Sequence, residues 1–116
     1  MGATRFRTQD PRMAGAVSYG DLVFVSGQVA DNRQGSVYEQ TKETLAKIDS
    51  LLAEAGSSKA NLLQASIWLT DMRTFDDMNK AWVEWVDPNA KPARATVGTP
   101  LANADLRVEI AVTAHK

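Results

Sequence analysis

A change of hydrophobic period within one continuous stretch decides the fold class of this chain. Residues 36–70 read SVYEQTKETLAKIDSLLAEAGSSKANLLQASIWLT. In the first part, apolar side chains recur at steps of three and four, which predicts an amphipathic helix over about 37–55. A capping box formed by Ser36 and Glu39 predicts its start, and Gly56 offers a left-handed residue at its end. The stripe consists of Val37, Thr41, Leu45, Ile48, Leu52 and Ala55.

The second part of the stretch alternates with a period of two, which is typical of a β-strand. One predicted face carries Leu63, Ala65, Ile67 and Leu69, and the other carries Gln64, Ser66, Trp68 and Thr70. Helix and strand each have one apolar side, which favours packing of the helix on a sheet.

Further elements of the same kinds precede and follow this stretch. Residues 22–29 are rich in β-branched and aromatic types and predict a strand, with a turn at Gly20-Asp21 and a hairpin partner near 15–19. Thr74-Phe75-Asp76-Asp77 repeats the capping pattern and predicts a second helix that ends before Pro88. Its stripe is Phe75, Met78, Trp82 and Trp85. Two more strands are predicted over 94–99 and 106–113.

The predicted order is β(β)αβαββ, an α+β arrangement in which two helices cover one face of one sheet. The opposite face would carry Trp68 among polar side chains. A large aromatic residue on an uncovered face predicts a homo-oligomer, because burial of the ring is favourable. A monomer with Trp68 half exposed is the alternative. The polar residues expected on that face are Ser66, Thr70, Glu109, Thr113 and Arg94.

The composition favours one domain over 1–116 and excludes several kinds of site. The chain has 116 residues, 44 % of them hydrophobic and 23 % charged, which suffices for one core and not for two. Thirteen basic and fourteen acidic residues give a net charge of −1, too weak to attract nucleic acid or an anionic membrane. There is no cysteine and His115 is the only histidine, which removes thiolate nucleophiles, disulfides and Cys/His metal sites. With no apolar run near the roughly 20 residues that span a bilayer, a soluble cytoplasmic protein is expected.

Two residues, Arg94 and Glu109, are the main candidates for binding or catalysis. Arg94 stands between alanines in a predicted strand, and its guanidinium fork matches a carboxylate bidentately. An ordinary surface arginine, or one paired with a neighbouring aspartate, is the alternative. Glu109 lies between Val108 and Ile110, so alternation places it opposite the apolar row, where it can accept a proton. A cross-strand salt bridge with Arg107 or Arg94 is the alternative for Glu109.

Ser26 and Asn79 are weaker candidates. Ser26 precedes Gly27, and a glycine in a strand permits close approach of a backbone or a ligand. The hydroxyl could donate one hydrogen bond, but without a suitable histidine or a Gly-x-Ser-x-Gly elbow it is not a hydrolase nucleophile. Asn79 alone is an ordinary surface amide. Gly-rich phosphate loops are absent from the sequence, so no nucleotide cofactor is expected.

Six short motifs in this order resemble the RidA family, also called YjgF, over about Gly20 to Ala114. Each motif is weak alone, and the order and spacing of all six make the resemblance specific. It implies a chorismate-mutase-like fold, with two helices on one face of a mixed sheet, assembled as a homotrimeric barrel with clefts between subunits. The motifs are Ser26-Gly27-Gln28, Glu39-Gln40-Thr41, Ile67-Trp68-Leu69-Thr70-Asp71, Met78-Asn79-Lys80-Ala81-Trp82, Pro92-Ala93-Arg94-Ala95-Thr96-Val97 and Val108-Glu109-Ile110.

The resemblance also implies an activity and residue roles. The activity is hydrolytic deamination of reactive enamine/imine intermediates, the 2-aminoacrylate type of 2-imino acid, to 2-keto acids and ammonia without a metal or organic cofactor. By their places in the motifs, Arg94 binds the substrate carboxylate and Glu109 engages the attacking water. Ser26, Asn79 and Thr96 line the cleft.

Three positions depart from the family pattern. Thr96 stands where the best-known members have a reactive cysteine, and Ala111 stands where they have a second acidic residue. Met13 falls near the place of an N-terminal tyrosine, and Tyr19 does not align with it. These departures indicate a side branch of the family, and they bear on the preferred substrate more than on the reaction.

Two other functions are weighed against deamination. One is a non-catalytic trimeric module that binds small carboxylates or keto acids in a regulatory role, for which Arg94 alone suffices. The other is RNA cleavage or inhibition of translation, which has been attached to some relatives of the family. The near-zero net charge and the lack of a basic stripe interleaved with aromatic residues argue against it.

Overall fold

The computed structural model describes residues 2–116 and contains a six-stranded mixed sheet with two helices. The strands lie in the order β1-β2-β3-β6-β4-β5, and each neighbouring pair is antiparallel except β4 and β5. Chain order gives β1 (Ala3–Phe6), β2 (Ala16–Tyr19), β3 (Leu22–Gln28), α1 (Val37–Glu54), β4 (Leu62–Leu69), α2 (Phe75–Trp85), β5 (Ala93–Gly98) and β6 (Val108–His115). The α+β architecture predicted from the sequence is therefore confirmed.

The ends of α1 follow from the sequence signals that predicted them. The Glu39 amide donates to Ser36 Oγ at 3.1 Å, and the Ser36 amide donates to the Glu39 carboxylate at 3.0 Å. This reciprocal pair satisfies two amides that have no partner inside the helix. Gly56 has a φ of +84°, and the Ser57 amide donates back to the Leu52 carbonyl at 2.8 Å. Only glycine adopts this conformation without strain, so the helix ends here.

Both helices lie on one face of the sheet, and the core fills the space between the helices and the sheet. Along β4 and β6, Ile67 pairs with Ile110 on the helix side, and Trp68 pairs with Glu109 on the open side. As predicted, the open side is polar around a half-buried Trp68. The largest fully buried apolar side chains are Leu45, Ile48, Leu51, Leu52, Ile67, Leu69, Met78 and Ile110.

The expectation that Arg94 shares the open face is wrong. Arg94 pairs with Ala65, which is buried on the helix side, so the arginine side chain also points toward the helices. The prediction placed Arg94 on the open face because its side chain is polar. Since β5 is an edge strand, a polar side chain on its helix side can lie beside α2, whereas on a central strand it would enter the core.

Three local features also differ from the prediction. The register of β4 shifts between Leu62 and Gln64, so Leu62 takes the buried place and Leu63 is 45 % exposed. Thr74 makes no capping bond to α2, and its hydroxyl donates to the Asp71 carbonyl at 2.6 Å. Asp71 instead caps a short 3₁₀ turn that leads into the helix. Strand β1 was not predicted.

Among residues 2–116, neither helix combines the length and the apolar character that crossing a bilayer requires.

Candidate functional site

Arg94 lies in a polar niche between β5 and the inner face of α2. Its Nη1 donates to Asn79 Oδ1 at 2.7 Å. The guanidinium carbon is 5.9 Å from the ring centre of Phe75 and 5.4 Å from that of Trp82. Partial burial lowers the pKa of Arg94 from its usual value, which is far too high for the group to lose its charge near neutrality. Arg94 is therefore a charged guanidinium that is partly shielded from water.

The rest of the Arg94 fork is available to a ligand. Among residues 2–116 it forms no salt bridge, and its one hydrogen bond is to Asn79. Thr96 lies two residues further along the same side of β5, and its Oγ1 is buried without a partner in the described chain. A buried hydroxyl without a partner is unfavourable, so this niche retains unused hydrogen-bonding capacity.

Glu109 lies on the opposite side of the sheet. It pairs with Trp68, which in turn pairs with Val97, and these three side chains form one row of the open face. The Glu109 carboxylate lies directly over Gly27, where a Cβ atom would be only 3.0 Å from the carboxyl carbon. No side chain of residues 2–116 forms an ion pair with Glu109, so the salt bridges with Arg107 or Arg94 considered above are not formed.

Arg107 points away from that carboxylate. Its Nε donates to the Gly35 carbonyl at 3.2 Å, and its amide donates to the buried Gln40 side chain at 3.0 Å. Arg107 therefore fastens the segment before β6 to the start of α1.

Ser26 is held against the segment that precedes β2. Its hydroxyl donates to the Ala14 carbonyl at 2.6 Å, and its amide donates to the Gly15 carbonyl at 3.0 Å. Because the hydroxyl hydrogen is used within the chain, Ser26 can offer a ligand an acceptor oxygen rather than the donor expected from the sequence. Ser26 and Gly27 lie at a register shift of β3 against β6, which brings Gly27 next to Glu109.

One copy of the chain holds two separate halves of a site. Arg94, Asn79 and Thr96 form one half on the helix side, and Glu109 lies beside Gly27 on the open side. Strand β4 stands between β5 and β6, so the halves are two strand spacings apart, roughly 10 Å, and on opposite faces. A small planar substrate cannot reach both halves within one copy.

The cavities of the described chain do not unite the two halves either. A depression of about 500 Å³ follows the end of β5 and is lined by Thr70, Gly98 and the loop after it. A second, of about 170 Å³, lies on the open face beside Phe24, Ser66 and Ala111. Within residues 2–116 no group of three or more His, Cys, Asp or Glu could hold a metal ion.

Sequence reasoning missed the second role of two residues in the stripe of α2. Phe75 and Trp82 were assigned to the core, which both contact, and both also present a ring to Arg94. The available signal was their spacing around Asn79, since positions 75, 79 and 82 share one helix face. The sequence predicts that another group lies close to the Gly27 backbone, and in the structure that group is the Glu109 carboxylate.

Comparisons with known proteins agree on one family. The family model described as Endoribonuclease L-PSP matches residues 6–116. A RutC family protein of Haemophilus influenzae is 43 % identical over 104 residues, covering 89 % of this chain and 90 % of that protein. The RutC family protein YoaB of Escherichia coli is 38 % identical over 105 residues, covering 90 % and 91 %. The crystal structure of NMB1025, a YjgF family member from Neisseria meningitidis, matches with a TM-score of 0.95 at 44 % identity, covering 100 % of this chain and 96 % of that one.

Proposed function

The chain belongs to the Endoribonuclease L-PSP family, also called the YjgF, RidA or RutC family, and from that premise we propose that it hydrolyses small 2-imino acids to 2-keto acids and ammonia. The observation that carries the proposal is the Arg94 niche. A partly buried guanidinium with most of its N–H groups free is suited to bind a carboxylate. Hydrogen bonds to a charged group are also stronger where water is partly excluded.

The two halves of the site require two copies of the chain. Arg94 of one copy would anchor the substrate carboxylate, and Glu109 of a neighbouring copy would face the imine carbon. The homotrimer expected from the family resemblance would supply this arrangement by covering the open face, including Trp68 and the half-exposed Val97. A shared site would make activity depend on assembly.

Hydrolysis of an imine requires only a positioned water and one general base. The enamine tautomerises to an imine, and Glu109 takes a proton from water as the water oxygen bonds to the imine carbon. The imine nitrogen gains a proton, which gives a carbinolamine. Glu109 then moves the proton of the carbinolamine hydroxyl to the amino group, the C–N bond breaks, and ammonia leaves as the carbonyl forms. A protonated imine is already electrophilic, so positioning and one general base, contributing about 10²–10⁴-fold, are sufficient.

Ser26, Asn79 and Thr96 would complete the cleft. Thr96 Oγ1 is one of two buried side-chain atoms without a partner among residues 2–116, the other being Thr44 Oγ1. Rotation of the Thr96 side chain toward Arg94 would let its hydroxyl bond a substrate carboxylate oxygen. Ser26 can accept a hydrogen bond from the imine N–H or from the carbinolamine. The Asn79 oxygen is occupied by Arg94, which leaves its NH₂ group for the ligand.

The experiment couples the protein to a threonine dehydratase or an amino-acid oxidase and follows decay of the imino acid. The wild type should accelerate the decay, and Arg94→Ala should abolish the acceleration without changing the oligomeric state. Arg94→Lys should also be poor, because a point charge replaces a planar fork. Full activity in Arg94→Ala would remove the carboxylate anchor from the account.

A non-catalytic binding module is the second candidate, favoured by one observation. The Arg94 half is fully formed within one copy, while Glu109 is held by no hydrogen bond or ion pair among residues 2–116. Glu109→Gln separates the two functions. In a binding module, the wild type would not hydrolyse imines and Glu109→Gln would keep the affinity for a keto acid. In an enzyme, Glu109→Gln would keep that affinity and hydrolyse imines more slowly than the wild type.

A further inference from the structure

One face of α2 is arranged around the Arg94 guanidinium, and we propose that Phe75, Asn79 and Trp82 are positioning residues that hold it in a single orientation. Positions 75, 79 and 82 follow the spacing i, i+4, i+7 and share one side of the helix. All three contact Arg94, the asparagine by a hydrogen bond of 2.7 Å and the rings at 5.9 and 5.4 Å.

Arg94 needs such support because its own strand gives it none. It lies on an edge strand, and its neighbours Ala93 and Ala95 point to the other side of the sheet, so neither can restrain the arginine side chain. An arginine has many rotamers, and fixing them on ligand binding costs affinity. Contacts that fix the side chain beforehand remove that cost from the binding step.

The supporting face of α2 is itself rigid. Trp82 is only 6 % exposed and belongs to the core, and its ring packs against Trp85 with the ring centres 5.4 Å apart. Phe75 is half-buried against the same core. The two rings hold the guanidinium by cation–π attraction, and the Asn79 oxygen fixes its rotation. This arrangement should lower KM, since it acts on binding, and leave the proton-transfer step unchanged.

The test compares Phe75→Leu and Trp82→Leu with Trp82→Phe, which keeps a ring beside Arg94. Tyr38→Leu is the matched control, because Tyr38 stacks with Lys42 and Lys80 and does not contact Arg94. This inference rests on the proposed function for what Arg94 binds. The leucine variants should raise KM for the imino acid, and Kd for 2-ketobutyrate by calorimetry, about 3–10-fold. The kcat should stay within about twofold, and Trp82→Phe should recover most of the affinity.

A second measurement needs no substrate. The NMR order parameter of the Arg94 Nε–H bond should be close to 0.85 in the wild type and below about 0.6 in Phe75→Leu and Asn79→Ala. Unchanged Kd and an unchanged order parameter in folded variants would overturn the positioning role and leave the deaminase proposal intact. If the wild type neither hydrolyses imines nor binds 2-ketobutyrate, the proposed function fails, and the order parameters still decide whether α2 positions Arg94.

Discussion

Replacing Gly27 by alanine should reduce activity about 100-fold with little effect on folding. A Cβ atom there would be 3.0 Å from the Glu109 carboxyl carbon and closer still to one of its oxygens. Carbon atoms settle at about 3.5–4.0 Å, so the carboxylate must swing away by about 1 Å or more. It is the free end of a flexible side chain, and its rotation costs only about 0.5–1.5 kcal/mol. A misplacement of about 1 Å can reduce turnover about 100-fold, equivalent to about 2.7 kcal/mol of barrier.

The coupled imino-acid assay measures that loss, and thermal unfolding measures the cost to the fold. Gly98→Ala is the matched control. It also adds a methyl group to a strand glycine, and this methyl would overlap Met72 Cγ at 2.8 Å, so the flexible Met72 side chain must shift in the same way. Gly98→Ala should keep its activity. If Gly27→Ala is as active as the wild type while a structure shows Glu109 displaced, Glu109 does not position the attacking water.

Three further predictions address Thr96, the open face and an acid-sensitive turn. Thr96→Val should stabilise the protein by about 1 kcal/mol, because it removes a buried hydroxyl that has no partner, and it should weaken 2-ketobutyrate binding. Denaturant unfolding measures the stability and calorimetry measures the binding. A destabilised variant would mean that the Thr96 hydroxyl forms a hydrogen bond in the assembled protein. Ser66→Lys would place a charge in the centre of the open face and should reduce the trimer to monomers in light scattering, whereas a stable trimer would show that this face is not the interface. The side-chain hydrogen bond from Arg12 lowers the pKa of Asp10 from 3.8 to about 2, so this carboxylate stabilises the fold above pH 3.8 and loses that contribution as the pH falls toward 2. Asp10→Asn should therefore be less stable than the wild type at pH 6, and the difference should shrink below pH 3.8 and vanish only below pH 2; a difference that stays constant with pH would contradict the assignment.

The helices and strands could be predicted where period and end signals agreed. Ser36, Glu39 and Gly56 defined α1 to within a residue, because a capping box and a left-handed glycine act locally. The side of β5 that carries Arg94 could not be predicted. Its parallel register with β4 is a tertiary pairing that the sequence of β5 does not encode.

The chemistry of the site was only partly visible in the sequence. Arg94 and Glu109 could be selected as residue types, and their family motifs assigned them roles. That they occupy opposite faces depends on the register with β4, in which Arg94 pairs with Ala65 and Glu109 pairs with Trp68. The partners of Arg94 on α2 were hidden because an aromatic residue at helical spacing indicates a core position first.

The central claim is that each site joins Arg94 of one copy to Glu109 of another, and subunit mixing tests it most directly. Arg94→Ala and Glu109→Gln, each inactive alone, are co-expressed or refolded together in equal amounts. In randomly mixed trimers about a quarter of the sites pair an intact Arg94 with an intact Glu109 from the neighbouring copy, so about a quarter of wild-type activity should return. Mixed trimers that form, as mass spectrometry would show, and yet remain as inactive as either variant would contradict a site shared between copies.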